Sequence, residues 1–324
     1  RKVLMFYNDK NLLLCGLDHG FSTMKGTHVI FDNGVEQLGG VATLSNNTLV
    51  YNGRNYKVGE GRLPMMKTKT EDESYFLLTL VGVAKELDIY HKQSADIILA
   101  VGLPFSRFGQ EKQEFRDYLF RKGEICFQYS GKDYRIHIKD VLVFLQCYAA
   151  IADRMRLYGA ESLIVDIGSK TVDVIHVQKY VPVERESTSI PEALIQCMEG
   201  IKSNVYQICN KKVSEDIIRQ MIVDGDAMIP EDCKAVIRDG LRNFAKEIEA
   251  KLSELGFDLE MMPLVYAGGG ALVMKHYGTV RGTHVHYLED IRQTPEVMNI
   301  WQDRNASCDA FRQQDGFMGK KCFP

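Results

Sequence analysis

Long apolar runs are missing from this chain. No stretch approaches the ~18 consecutive apolar residues of a membrane span, and the N-terminus has neither an apolar h-region nor a small-residue cleavage site. The expectation is a protein without a membrane segment or secretory signal. An excess of positive charge is missing too: 40 Lys and Arg stand against 43 Asp and Glu, a formal net charge of −3. A broad basic face for direct nucleic-acid binding therefore has no support. None of the eight cysteines (15, 126, 147, 197, 209, 233, 308 and 322) forms a C-x-x-C pair. Most lie in apolar runs, where cysteine acts as a small hydrophobe, so a reduced cytoplasmic setting is expected over a disulfide framework. No G-x-x-x-x-G-K-[ST] occurs, which excludes a P-loop enzyme. Low-complexity segments and obvious linkers are absent as well.

What is present is an ordinary globular composition, 45 % hydrophobic and 26 % charged, over a length that allows two domains with real cores. Residues 12–18 and 24–31 read as strands, and short β-like pieces separated by Gly and Asn fill 34–63. "YFLLTLVGVAKEL" (75–87) is long and free of proline, as a buried helix should be, and "ADIILAVGLP" (95–104) reads as a buried parallel strand. A helix over 110–120 and a hairpin around Ser130-Gly131 follow, then "VLVFLQCYAAIADRMRLYG" (141–159), read as a helix ending at Gly159. Strand, turn and strand recur over 161–177. Residues 191–222 and 231–256 look helical, 264–274 is strand, glycine turn and helix, and a short strand lies at 283–289. A last helix is expected from Pro295. Mixed order of strands and helices gives an α/β class.

Two turns share a frame. Asp18-His-Gly20-Phe-Ser-Thr23-Met-Lys25 and Asp166-Ile-Gly168-Ser-Lys-Thr171-Val-Asp173 each place Asp at a strand end, Gly two residues later and Thr five residues later. One such D-x-G turn would be an ordinary hairpin. Its repetition after two buried strands argues for a polyphosphate ligand. Consecutive backbone N–H groups of a tight turn form an anion-binding concavity, Gly allows the close approach, and the Ser and Thr hydroxyls and Lys25 add donors. Carboxylates beside phosphate make sense only with a hard cation between them. Asp18 and Asp166 are therefore candidate ligands of Mg²⁺, held mainly through its waters. "LVYAGGGALVM" (264–274) is a third element, three glycines between a strand and a helix, against which a nucleotide could lie. A dinucleotide fingerprint is disfavoured there, because Val273 occupies the third glycine position and about fifty residues remain, too few for the usual sheet. His284 and His286 share a strand face but lack an evident third metal ligand.

This order of elements resembles the actin, sugar-kinase and chaperone ATPase superfamily over roughly residues 12 to 300, and within it the compact plasmid-segregation actins of the ParM group. The resemblance implies two ribonuclease-H-like α/β domains around a nucleotide cleft. The domains are expected at 1–165 and 166–295, with 296–324 packing back on the first. It implies phosphate contacts from Gly20, Phe21, Ser22, Thr23 and Lys25 in the first hairpin, and from Gly168, Ser169, Lys170 and Thr171 in the second. Gly268, Gly269, Gly270 and Ala271 fall on the adenosine motif. Gln146 falls where the family positions the hydrolytic water, on the helix before the second hairpin. His19 stands where relatives often have Asn or Asp, and Gly-Ser-Lys replaces the common Gly-Gly-Thr of the second hairpin.

The implied function is a bacterial cytoplasmic, Mg-dependent ATPase or GTPase with slow turnover. It assembles head to tail into filaments and reaches plasmid DNA through a centromere-binding adaptor rather than directly. A small-molecule kinase on the same fold is the rival, but Asp173, seven residues past Asp166, is too far along its strand to be the base. A nucleotide-bound scaffold without turnover is a third reading.

Overall fold

A computed structural model describes residues 6–7, 11–39, 46–64, 66, 68–146, 155–191 and 193–288. These fall into two compact units, the described residues up to 146 and those from 155 to 288.

The first unit runs β1 (Phe6–Tyr7), β2 (Leu12–His19), β3 (Thr23–Gly26), β4 (Ile30–Asp32), β5 (Val35–Leu38), β6 (Thr48–Tyr51), β7 (Arg54–Val58), α1 (Ser74–Ile89), β8 (Ser94–Leu103), α2 (Phe105–Leu119), β9 (Ile125–Tyr129) and β10 (Lys132–Leu145). Its described strands form one sheet in the order β4-β3-β2-β8-β10-β9-β6-β7-β5, with β1 beside β2. The three central strands, β2, β8 and β10, are parallel, pairing Leu17 with Val101 and Leu103 with Leu145. That register brings Asp18, Gly102 and Gln146 to one edge, the carboxyl ends of parallel strands, where open α/β sheets bind ligands. The apolar character of α1 follows from its place: Tyr75 through Ala84 are buried without a break, as in a helix covered on all sides.

Two expectations in this unit are corrected. The second run of the first hairpin is not one strand; it breaks after Gly26, and Met24 pairs back on Phe31. Residues 141–145 are strand rather than helix. "VLVFL" is too short for its period to separate the two, and the parallel pairing of Val141 with Leu99 and Val143 with Val101 decides for the strand. Of the rest of that expected helix, Met155–Leu157 form a single 3-10 turn, and 147–154 lie outside the described residues.

The second unit runs β11 (Glu161–Ile167), β12 (Val172–Gln178), β13 (Val181–Pro182), β14 (Thr188–Ile190), α3 (Leu194–Cys209), α4 (Glu215–Val223), α5 (Glu231–Glu254), β15 (Leu264–Ala267), α6 (Ala271–Tyr277) and β16 (Val285–Tyr287). The sheet order is β13-β12-β11-β15-β16, with β14 on β12. Alternate residues of β11, Leu163, Val165 and Ile167, join a core with Met198, Ile201 and Val205 of α3 and Leu241, Phe244 and Ile248 of α5, the period-two pattern of a covered face. A division at 165/166 would cut β11, which pairs along its length with β12 in this unit. The expected C-terminal return of 296–324 lies outside the described residues. No described helix is long and apolar enough to cross a membrane.

Candidate functional site

In the first unit, β2 delivers Asp18 to the sheet edge and the chain turns through Gly20, Phe21 and Ser22 into β3, where Lys25 pairs directly opposite Asp18. The Lys25 ammonium lies 3.6 Å from the Asp18 carboxylate. The Gln146 side-chain amide donates to the other carboxylate oxygen, and the Gln146 backbone N–H donates to Leu103 O at 2.9 Å. Gln146 thus meets Asp18 from the end of β10, not from a helix.

Gly20 is required by space. A Cβ there would fall 2.5 Å from Thr23 O. The buried Ser22 hydroxyl has no hydrogen-bond partner, so this turn keeps an unspent donor beside a backbone cradle. Such a pair fits a phosphate oxygen.

Two residues that the sequence did not single out complete this edge. Asn33 is fully buried. Its side-chain amide donates to Gly20 O at 3.1 Å and also to Phe21 O, and its backbone N–H donates to Ser22 O at 3.2 Å. One amide therefore fixes the whole turn. Its only local signal was the Asp-Asn-Gly triplet, which reads as a turn. Lys69 donates to Gly102 O at 3.2 Å and sits over the rings of Phe115 and Tyr75 at 5.5 and 5.8 Å, a cation held at the same strand ends. Nothing in the polar stretch around Lys69 marks it.

His19 faces away from this chemistry. Its Nε2 lies 2.7 Å from the Thr79 hydroxyl, which itself donates to Tyr75 O at 2.8 Å, so Nε2 carries the proton and donates. Burial first, and the Lys69 charge second, hold its pKa well below the ordinary 6.5. The unfolded chain then takes up a proton that the folded chain refuses. The stability tied to this group is fully present above about pH 6.5 and is lost as pH falls below it. Urea unfolding at pH 7, 6 and 5 is expected to show a steeper loss in the parent than in His19→Asn. The difference should approach about 1.4 kcal/mol per pH unit, and equal slopes would assign the acid sensitivity elsewhere.

In the second unit, Asp166, the penultimate residue of β11, lies beside Ala267 of the parallel β15 and opposite Asp173 of β12. The turn closes with Gly168 N–H donating to Thr171 O at 2.9 Å, and the backbone N–H of Ile195 at the start of α3 donates to Ser169 O at 3.0 Å. Gly268, at φ +78°, brings its backbone against Asp166: a Cβ there would fall 2.1 Å from Asp166 Oδ1. Gly270 N–H donates to Ile167 O at 2.9 Å. Asp166, the Gly168–Thr171 turn and the Gly268–Ala271 turn therefore form one cluster at the carboxyl ends of β11 and β15. Lys170 and Thr171 are half-buried in it. Asp173 is buried and accepts from the Ser189 hydroxyl, and His284 Nε2 is spent on Leu259 O at 3.1 Å.

Comparisons with known proteins bear on the family and the fold. A family model for the N-terminal domain of actin-like proteins matches residues 16–148, and one for the C-terminal domain of the archaeal MreB-like actin homologue matches 164–277. Among curated proteins no relative matches the sequence. Among solved structures, the actin-like protein Alp7A superposes with a TM-score of 0.69 at 16 % identity, over 94 % of this chain and 98 % of that one. ParM of Bacillus thuringiensis with ATP gives 0.66 at 16 %, over 91 % and 100 %. The Alp12 filament structure gives 0.64 at 18 %, over 89 % and 97 %. At these identities the likenesses establish the fold. With an actin-like N-terminal domain, an MreB-like C-terminal domain and the actin fold in both, the chain belongs to the actin-like proteins, ParM-type structures being among its likenesses.

Proposed function

We propose that this protein is a nucleotide-dependent, filament-forming actin-like ATPase that serves DNA segregation in a bacterial cytoplasm. The observation that carries the reading is the same turn built twice, an Asp and a Gly at the carboxyl end of a parallel strand in each unit. The two units, the described residues up to 146 and those from 155 to 288, would each contribute one hairpin to a single ATP or GTP. Gly20, Phe21, Ser22, Thr23 and Lys25 would hold the terminal phosphates from one side. Gly168, Ser169, Lys170 and Thr171 would hold them from the other, and Gly268, Gly269, Gly270 and Ala271 would carry the nucleoside. Asp18 and Asp166 fit a hard cation such as Mg²⁺, bound largely through water. When bound, that cation would offset charge on the terminal phosphates.

Lys25, which neutralises Asp18 at 3.6 Å, is then available to the γ-phosphate. Gln146 would orient the attacking water. Positioning and charge stabilisation dominate phosphoryl transfer, and a neutral amide is a weak base, so turnover should be slow. ATP accompanies the ParM likeness and Alp12 is itself a filament. Both are properties of those proteins that support the same reading here. Contact of one ligand with both domains would bias their closure, and hydrolysis would release that bias. Head-to-tail contacts that do not close into a ring give an open helical assembly. An adaptor bound to a centromere would link the filament to plasmid DNA, since a net charge of −3 offers no direct route.

The test is right-angle light scattering after addition of Mg-ATP or Mg-GTP, with phosphate release followed in parallel. The expected result is a nucleotide-dependent rise that decays as phosphate appears, with Gln146→Ala slowing the decay about tenfold or more. No rise with either nucleotide across micromolar protein would remove the filament reading in favour of the kinase. A rise that Gln146→Ala leaves unchanged, without phosphate release, would identify a static scaffold.

A further inference from the structure

At the far end of α3 from the glycine turns, the chain leaves the helix through Asn210, whose φ of +52° puts it in the left-handed region, and returns into the first turn of α5. This brings together the thiol of Cys209, the last residue of α3, with Asp232 and Cys233 near the start of α5. The three candidate ligand atoms lie within 4.8 Å of one another. We propose that Cys209, Asp232 and Cys233 form a binding site for a borderline-soft divalent cation, zinc by preference, at the joint between α3 and α5.

The donor set selects the cation. Thiolates favour zinc over the hard magnesium expected at the phosphate turns. Zinc–sulfur bonds of about 2.3 Å put two sulfurs about 3.8 Å apart in a tetrahedral site, so atoms that lie within 4.8 Å of one another need to close by at most about an ångström. Lys211 supports it. Its ammonium lies 3.1 and 3.4 Å from the two Asp232 oxygens, and Asp232 Oδ1 also accepts the Cys233 N–H at 2.9 Å. A carboxylate has lone pairs for these and for a metal, and such outer partners orient a ligand. Charge balances as well: two thiolates and one carboxylate offset a divalent cation plus Lys211. Cys233 is buried, Cys209 half-buried and Asp232 exposed, so the site has a dry floor and an open mouth, with one tetrahedral position left for water. Among the described residues no other cysteine has such companions.

Binding replaces two thiol protons by one cation and passes both protons to solvent, with no change of oxidation state. Because both thiols must lose their protons, affinity should climb with pH.

The experiment is a Co²⁺ titration of the full chain, chelator-treated and fully reduced, without nucleotide. One equivalent is expected to raise a near-ultraviolet thiolate-to-cobalt band and visible d–d bands, and Zn²⁺ is expected to bleach them. Cys209→Ser and Cys233→Ser should each abolish the near-ultraviolet band, while Cys126→Ser leaves it. Asp232→Asn, at an exposed position that does not threaten folding, should weaken cobalt binding about tenfold. The proposal is overturned by absence of the bands in the reduced parent, by bands that survive both serine variants, or by undiminished affinity in Asp232→Asn. It is equally overturned if the pair closes to a disulfide in air while the reduced protein takes no cobalt.

Discussion

Asp166→Ala is expected to cut single-turnover phosphate release about 10²- to 10³-fold while the protein still folds. The carboxylate stands at the end of β11, next to Ala267 on the parallel β15 and against the backbone of Gly268. It is only half-buried. A charge in that position would repel phosphate unless a cation intervened, so on the proposed reading its worth lies in holding Mg²⁺ for the developing charge. Shortening it to Ala removes the charge and leaves the Gly268 turn with more room, not less. Asp166→Asn separates the two contributions, since it keeps the shape and loses the charge. Both variants should fall together in phosphate release, with melting temperatures within a few degrees of the parent. Full activity in Asp166→Asn would mean that the carboxylate does not face the cation, and the two-hairpin proposal would then lose one of its metal-facing groups.

Asp166 carries a local signal in the sequence, and other residues at these strand ends do not. The hairpins, the apolar helix α1, the buried strand β8 and the glycine turn after β15 each carry a local signal: alternation, a proline-free apolar run, or Gly at fixed offsets. Their spacing repeats, and repetition is visible without a structure. Residues 141–145 carry no such signal. They were legible only as apolar, and it is pairing with β8, a contact between distant segments, that makes them a strand and lands Gln146 on Asp18. The expected place of Gln146 therefore rests on order along the chain, while pairing with β8 decides the element that leads into it.

Asn33 and Lys69 show the same limit from another side. Asn33 holds the Gly20–Ser22 turn by hydrogen bonds to Gly20 and Phe21 across a hairpin break that the apolar run 24–31 conceals. Lys69 reaches the strand ends from a loop by packing its ammonium over two rings and capping Gly102 O. Such residues act through tertiary contacts made by ordinary polar side chains, and no spacing rule marks them. The Cys209–Asp232–Cys233 cluster is of this kind too, since Cys233 stands 24 positions after Cys209 and only the packing of α3 on α5 closes the gap.

The glycine turn allows structure and ligand binding to be separated within three consecutive positions. Gly268→Ala is expected to destabilise the second unit by about 3–4 kcal/mol, through left-handed backbone strain and overpacking against the neighbouring strand. The added Cβ would lie 2.1 Å from Asp166 Oδ1 and 2.7 Å from Ile167 O, and φ is +78°. In thermal unfolding this should appear as a fall of about 10 °C. Gly269→Ala is the counterpart. Its Cβ would meet only Leu194 Cδ1 at 3.5 Å, an ordinary contact, with no positive φ to strain, so the melting temperature should hold. If a nucleotide lies against this backbone, the methyl group enters the space the ligand needs, and affinity for a fluorescent ATP analogue should drop at least about tenfold, a cost of about 1.4 kcal/mol. Unchanged affinity in a stable Gly269→Ala would move the nucleoside away from this turn. Gly268 and Gly270 would then be explained by the tight passage from β15 into α6 past Asp166 and Ile167.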